Sequence, residues 1–234
     1  MKEHRLYINS SPANVMKRLL LILPVIILLA CSDHKTELLR KSFSEYNGKY
    51  AFVINKSAFT LEVYYSDLKR VSLYKIGIGN NPDRKPKLHE GDNRTPEGIY
   101  EINEILSIDA EKNTDSFKKL FNMNKYYFKK ANGYHKFGNP MEDLGDNAYG
   151  PRYFGINYPN DTDKINYMKA LERGEIPIVK GAPLGIGYGI AIHGNNDENS
   201  IGELCSNGCI RMFNKDIVEL EKYLILKTPV IIMP

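Results

Sequence analysis

Ile190-Ala191-Ile192-His193-Gly194 and, one loop later, Ser206-Asn207-Gly208-Cys209-Ile210-Arg211-Met212 form a single compact stretch of this sequence. Two apolar segments, Ile190–Ile192 and the one begun by Ile210, bracket a histidine and a cysteine. That pairing places a base near a thiol. A thiol is a weak nucleophile at its ordinary pKa of about 8.5, and a neighbouring histidine lowers that value. Gly194 and Gly208 let the backbone come close to a substrate, so that its N–H groups can face an oxyanion. The chemistry implied is thiolate attack on an acyl carbon.

Outward from that stretch, the pattern is mostly strand. Ala51–Ile54, Thr60–Tyr65, Arg70–Ile78 and Gly98–Ile102 are rich in β-branched and aromatic residues, with turn residues between them. Asn80–Thr95 is polar, contains Asn80-Asn81-Pro82-Asp83 and Gly91-Asp92-Asn93, and reads as an exposed loop. Residues 104–150 fit the strand pattern poorly. Within them Ser116–Lys130 reads as one or two helices, and Asn132–Gly150 as a Gly- and Asn-rich loop that covers or shapes a site. Thr162–Arg173 reads as a helix capped by Asp161 or Thr162. Gly181–Gly189, with four glycines and a proline, is a turn and matches no phosphate-loop spacing. Asn214 caps a last helix, Lys215–Leu226, and Thr228–Met233 closes the pattern as an apolar strand. The class is mainly β with a few helices, and there is no internal repeat.

The motifs resemble the L,D-transpeptidase (YkuD) family of peptidoglycan enzymes. The family pattern is His-Gly, a loop, then Ser/Thr-His-Gly-Cys-Ile/Val-Arg-Leu/Met. Ser206, Gly208, Cys209, Ile210, Arg211 and Met212 match it, and Asn207 stands where most members carry a second histidine. Lys49–Tyr64 is similar to the family's opening hairpin. Thr95-Pro96-Glu97-Gly98-Ile99-Tyr100 matches its Thr-Pro-x-Gly-x-aromatic segment. Phe154–Asn160 resembles one branch of the family. The resemblance spans residues 49–234 and implies a β-sandwich or barrel-like catalytic domain, with 104–150 as a partly helical insertion.

It also implies roles. Cys209 is the nucleophile and His193 the base. Cys209 attacks the third residue of a peptidoglycan stem peptide, the terminal D-alanine leaves, and the thioester passes to an amine of a second stem. Backbone N–H groups of Gly208, Cys209 and Asn207 supply the oxyanion hole. A backbone carbonyl near Gly194, or else Asp197, orients the imidazole. Arg211 is either a clamp on a substrate carboxylate, which suits its planar fork, or half of a structural ion pair. Ser206 either touches substrate or bonds within the turn. Water as acceptor would make the protein a carboxypeptidase or amidase, a direction in which Asn207 and Tyr158-Pro159-Asn160 pull. A catalytically silent peptidoglycan-binding lipoprotein is the reading from another class. No cofactor is implied.

The front end carries an address. Met16-Lys17-Arg18 precedes the apolar run Leu19–Ala30, too short to span a bilayer, which takes about 20 residues, and suited to a signal peptide. Leu28-Leu29-Ala30-Cys31 resembles a bacterial lipobox, so Cys31 becomes the lipidated N-terminus and residues 31–48 a tether; Met16 is the better start. Ser32 after the cysteine favours the outer membrane where one exists, and the protein faces the periplasm. Without residues 1–30 the chain keeps 28 basic and 27 acidic residues, so the net charge of +4 falls to +1. No basic block or binding motif points to nucleic acid. Cys205 lies four residues before Cys209, which admits a silencing disulfide. Zinc would have only three soft ligands, Cys205, Cys209 and His193, and no convincing fourth. His89 and His135 read as solvated loop residues. Tyr126, Tyr127, Tyr134, Tyr149 and Tyr153 line a groove or pack.

Overall fold

The computed structural model describes residues 34–127, 129 and 143–234. The segment expected to be a signal peptide, with Cys31, Tyr134 and His135, lies outside the described residues. Residues 34–44 are helical and are called α1. The chain then forms β1 (Tyr50–Asn55), β2 (Thr60–Tyr65), β3 (Arg70–Gly79) and β4 (Gly98–Ser107), followed by α2 (Asp115–Tyr126). Next come β5 (Arg152–Ile156), α3 (Asp161–Glu172), the short β6 (Ile178–Val179) and β7 (Ala182–Pro183), and β8 (Ala191–His193). β9 (Leu204–Ser206), β10 (Ile210–Met212), α4 (Asn214–Leu220) and β11 (Pro229–Met233) complete it.

The main sheet runs β10-β8-β5-β4-β11-β1-β2-β3, and β10 also pairs with β3, so these eight strands close into a barrel with β9 added beside β3. Closure leaves none of the eight with a bare edge. Alternation sorts the side chains. Phe52 and Ile54 of β1, Val230 and Ile232 of β11, Phe154 of β5, Ile192 of β8 and Ile210 of β10 fill the interior. Ile217 and Leu220 of α4 join the same core. The opposite faces of β1 and β11, through Ala51, Val53, Ile231 and Met233, would meet water but for α1, whose Leu39 is 2% exposed against them. Burying a leucine so completely contributes about 1.5–3 kcal/mol. Residues 34–44 are therefore part of the folded unit, which corrects the tether boundary at 48. The partners of α1 come from both ends of the barrel sequence.

β4 runs to Ser107, pairing with β5 through Ser107↔Arg152, so the insertion begins after 107 rather than at 104. α3 starts one residue early because Asn160 is the cap. Its side chain accepts from the Asp163 N–H while Asp163 accepts from the Asn160 N–H. Asp163 also accepts from the Tyr100 hydroxyl at 2.9 Å, which ties α3 to the barrel. The last helix ends at Leu220, with a 3₁₀ turn over Glu221–Tyr223. Asn214 does not cap it; its side chain is used elsewhere.

The Asn80–Thr95 loop is not simply exposed. Asp92 lies buried within it and accepts from the Leu88, His89 and Arg94 amides and from Lys87 Nζ at 2.8 Å. Burial opposes ionisation of Asp92, yet Lys87 and these donors hold its carboxyl below the ordinary range.

Candidate active site

The strand period places the site on the outer wall of the barrel. Ile192 and Ile210 point inward, so His193 and Arg211, paired across the parallel β8–β10 ladder, point outward. Tyr153 of β5 stands beside His193 on the other side. Cys209 immediately precedes β10, and its Sγ lies 3.4 Å from the Gly189 carbonyl. α2 and residues 144–149 roof this patch. His193, Cys209, Asn207 and Arg211 share one cavity of about 250 Å³ with Tyr149 and Tyr153.

His193 is 3% exposed. Tyr149 packs at 5.1 Å between ring centroids, and Tyr153 stacks at 6.1 Å. Nδ1 donates to the Gly194 carbonyl, which leaves Nε2 as the basic nitrogen. Asp197 takes no part in this: its N–H donates to Asn195 Oδ1. Burial, then the charge of Arg211, lower the His193 pKa from 6.5 to about 3 against the opposing pull of the Gly194 bond. The imidazole is neutral at rest. Burial, and after it the charge Cys209 carries as a thiolate, push the Tyr153 phenol well up.

The nucleophile turn is fixed by the hydroxyls of Ser206 and Thr95, which make two hydrogen bonds each. The Ser206 hydroxyl donates to the Cys209 carbonyl at 2.5 Å and accepts from the Gly208 N–H at 3.1 Å. Ser206 therefore bonds within the turn, and the Gly208 N–H is committed to its hydroxyl. Thr95 Oγ1 donates to the Gly208 carbonyl at 2.9 Å and accepts from the Gly79 N–H at 2.9 Å. Gly208 has φ +128°, and a Cβ there would stand 2.8 Å from the Arg94 carbonyl, so only glycine fits.

A second brace holds the loop after His193. Asn214 Oδ1 accepts from the Asn195 N–H at 3.0 Å, and its amide donates to the Asn195 carbonyl at 2.9 Å. Asn195 is buried and donates to the Met212 carbonyl. Thr95, Asn195 and Asn214 are the positioning residues that sequence reasoning missed. Thr95 sat in a recognised segment with no stated role, and Asn214 carried a capping signal that misdirected.

Arg211 forms no ion pair among the described residues, and its buried Nε has no hydrogen-bond partner. Arg211 lines the cavity. Cys205 is not bonded to Cys209. Its Sγ fills the space over Gly77, where a Cβ would come within 2.4 Å of it. Burial pushes the Cys205 thiol up, opposed by Ser200 and Arg211. Among the described residues no three His, Cys, Asp or Glu side chains are grouped to hold a metal ion. Tyr127 lines the cavity and Tyr126 is exposed. His89 is half-buried and bonds the Glu90 carbonyl.

A thiol and a carbonyl-oriented imidazole thus share one cavity on the wall of a closed barrel. The chain belongs to the YkuD family of L,D-transpeptidase catalytic domains, whose profile matches residues 49–232. A Bacillus licheniformis protein named "Putative L,D-transpeptidase YkuD" is 39% identical over 90 residues, 33% of this chain and 52% of that protein. The Bacillus subtilis protein "Putative L,D-transpeptidase YqjB" is 28% identical over 180 residues, 77% of this chain and 69% of that one. The crystal structure of the helical cell shape determining protein Pgp2 from Campylobacter jejuni superposes with TM-score 0.49 and 24% identity, covering 80% of this chain and 48% of that one. The chain thus spans about half the length of the first relative and of Pgp2.

Proposed function

We propose that this protein carries out cysteine-dependent acyl transfer on peptidoglycan stem peptides. The observation that carries the reading is the shared cavity in which Cys209 meets an imidazole whose Nδ1 is already committed to the Gly194 carbonyl. Cys209 attacks the carbonyl before the terminal D-alanine. The thiol proton passes to His193 Nε2 as the C–S bond forms. An imidazole held neutral by burial is a reluctant base but, once protonated, a strong acid. It therefore hands the proton readily to the departing D-alanine amine as the C–N bond breaks. With the Gly208 N–H committed to Ser206, the oxyanion falls to the other amides of the turn, around Asn207 and Cys209. Arg211, with an unpartnered buried nitrogen, binds a substrate carboxylate. An amine of a second stem then takes the acyl group from the thioester. The lipobox-like segment ending at Cys31 anchors the protein to an envelope membrane, facing the wall it acts on.

The test is incubation of the purified chain, under reducing conditions, with disaccharide-tetrapeptides and with whole sacculi. Products are read by mass spectrometry, with Cys209→Ala as control. Cross-linked dimers with loss of D-alanine support transpeptidation. Shortened peptides without dimers shift the reading to hydrolysis. No Cys209-dependent product overturns it.

A further inference from the structure

The cavity wall opposite β10 comes from two loops, residues 87–90 and 187–190. Glu90 stands on that wall, half-buried, in the cavity that holds Cys209 and His193. Its backbone is fixed on both sides. The Glu90 N–H donates to the Gly185 carbonyl at 2.7 Å, and its carbonyl accepts from His89 Nδ1 at 2.7 Å. A Cβ at Gly187, where φ is +83°, would lie 3.3 Å from Glu90 Cα, so the two loops touch backbone to backbone. The buried Asp92 further stiffens the loop from within.

Lys87 and Arg94, on the same loop as Glu90, are each paired within that loop, and Arg211 is the other cation that lines the cavity. Lys87 Nζ is bound by Asp92 at 2.8 Å and by the His89 carbonyl at 3.0 Å. Asp83 is paired with Arg94 at 2.5 Å. Glu90 has no ion-pair partner among the described residues. A half-buried carboxylate in the same small cavity as the thiol, with the neighbouring lysine already paired, favours a cation.

We propose that Glu90 forms an amine subsite that holds the ammonium group of the acyl acceptor beside the Cys209 thioester. The inference rests on the acyl-transfer reading above. The acceptor ammonium docks against Glu90 and releases one proton to solvent on becoming the nucleophile. Its nitrogen forms the C–N bond, the thioester C–S bond breaks, and the second amine proton reaches the departing sulfur through His193. Glu90 makes and breaks no bond. It raises the local concentration of amine over water, which favours transfer over hydrolysis.

The test uses the purified full chain, a tetrapeptide donor and two acceptors. One is the side-chain amine of an Nα-protected lysine, charged at pH 7. The other is hydroxylamine, which is neutral there. Glu90→Gln keeps the size and the backbone bonds. The half-saturating concentration of the charged amine should rise about tenfold in Glu90→Gln, a factor equal to about 1.4 kcal/mol. kcat at saturation should change by less than about threefold, and the hydroxylamine response should stay within about twofold. High salt should weaken the charged-amine preference of the wild type. An unchanged charged-amine response, or equal losses with both acceptors, overturns the subsite while leaving acyl transfer standing. Failure of the wild type to release D-alanine and form a Cys209 thioester overturns acyl transfer itself, and the subsite with it.

Discussion

Thr95→Val tests whether the Thr-Pro-x-Gly segment acts on the nucleophile from a distance in sequence. The substitution preserves shape and removes one oxygen. That oxygen takes the Gly79 N–H at 2.9 Å and gives its proton to the Gly208 carbonyl at 2.9 Å, with Thr95 only 3% exposed. Each buried group left without a partner costs about 1–3 kcal/mol, so the two together destabilise by about 3 kcal/mol. The loss falls on the peptide carbonyl next to Cys209, so the turn gains freedom and acylation should slow by about tenfold or more. Thr95→Ser keeps the hydroxyl and loses a methyl, for about 1 kcal/mol and a small kinetic effect. Urea denaturation gives the stabilities, and the rate of D-alanine release gives acylation. A Thr95→Val protein within about 0.5 kcal/mol of wild type, with an unchanged acylation rate, would refute the argument.

Three further outcomes follow from the same geometry. The His193 pKa is lowered in the folded state to about 3 from 6.5, so its contribution to stability is full above pH 6.5 and is lost as pH falls toward 3. The loss runs at about 1.4 kcal/mol per pH unit, and His193→Gln should remove that share of the slope in urea melts at pH 7 and pH 4.5. Gly208→Ala forces a side chain into φ +128° and against the Arg94 carbonyl. It should abolish Cys209-dependent turnover, and wild-type turnover in Gly208→Ala would contradict the geometry. Asn214→Ala removes both bonds to the Asn195 backbone; it should cost about 1–2 kcal/mol, seen as a lower midpoint in urea, with slower alkylation of Cys209.

Most strands were legible because they are rich in β-branched and aromatic residues and lie between turn residues. Thr60–Tyr65 has the same bounds by pattern and by hydrogen bonding. β5 was missed because Arg152 and Gly155 interrupt the run of β-branched and aromatic residues that marked the other strands. α1 was read as a tether and not as a layer, because its partners come from β1 and β11, far apart in sequence. At the site, the identities of Cys209 and His193 stood in one short motif. What fixes them did not. Ser206 satisfying Gly208, Thr95 bridging Gly79 to Gly208, and Asn214 bracing Asn195 are contacts between side chains and backbone, and backbone positions leave no letter in a sequence. The one letter that pointed to such a contact, Asn214 at a helix start, pointed to the wrong backbone.

The barrel's pairing order has a consequence for how the chain is made. Phe52 of β1 sits beside Val230 of β11, and Arg211 beside Gly77, so first-made strands wait for last-made ones. A ribosome can release the β1–β2–β3 meander early, but the ring stays open until residues 229–233 have emerged. Only then can α1 lie down across the joint. Topologies dominated by such distant pairings fold slowly. The thiol would therefore exist for some time outside its cavity, before the imidazole that governs it is in place. Catalytic competence should appear as the final event of folding, together with closure, and not as a property that any early hairpin already holds.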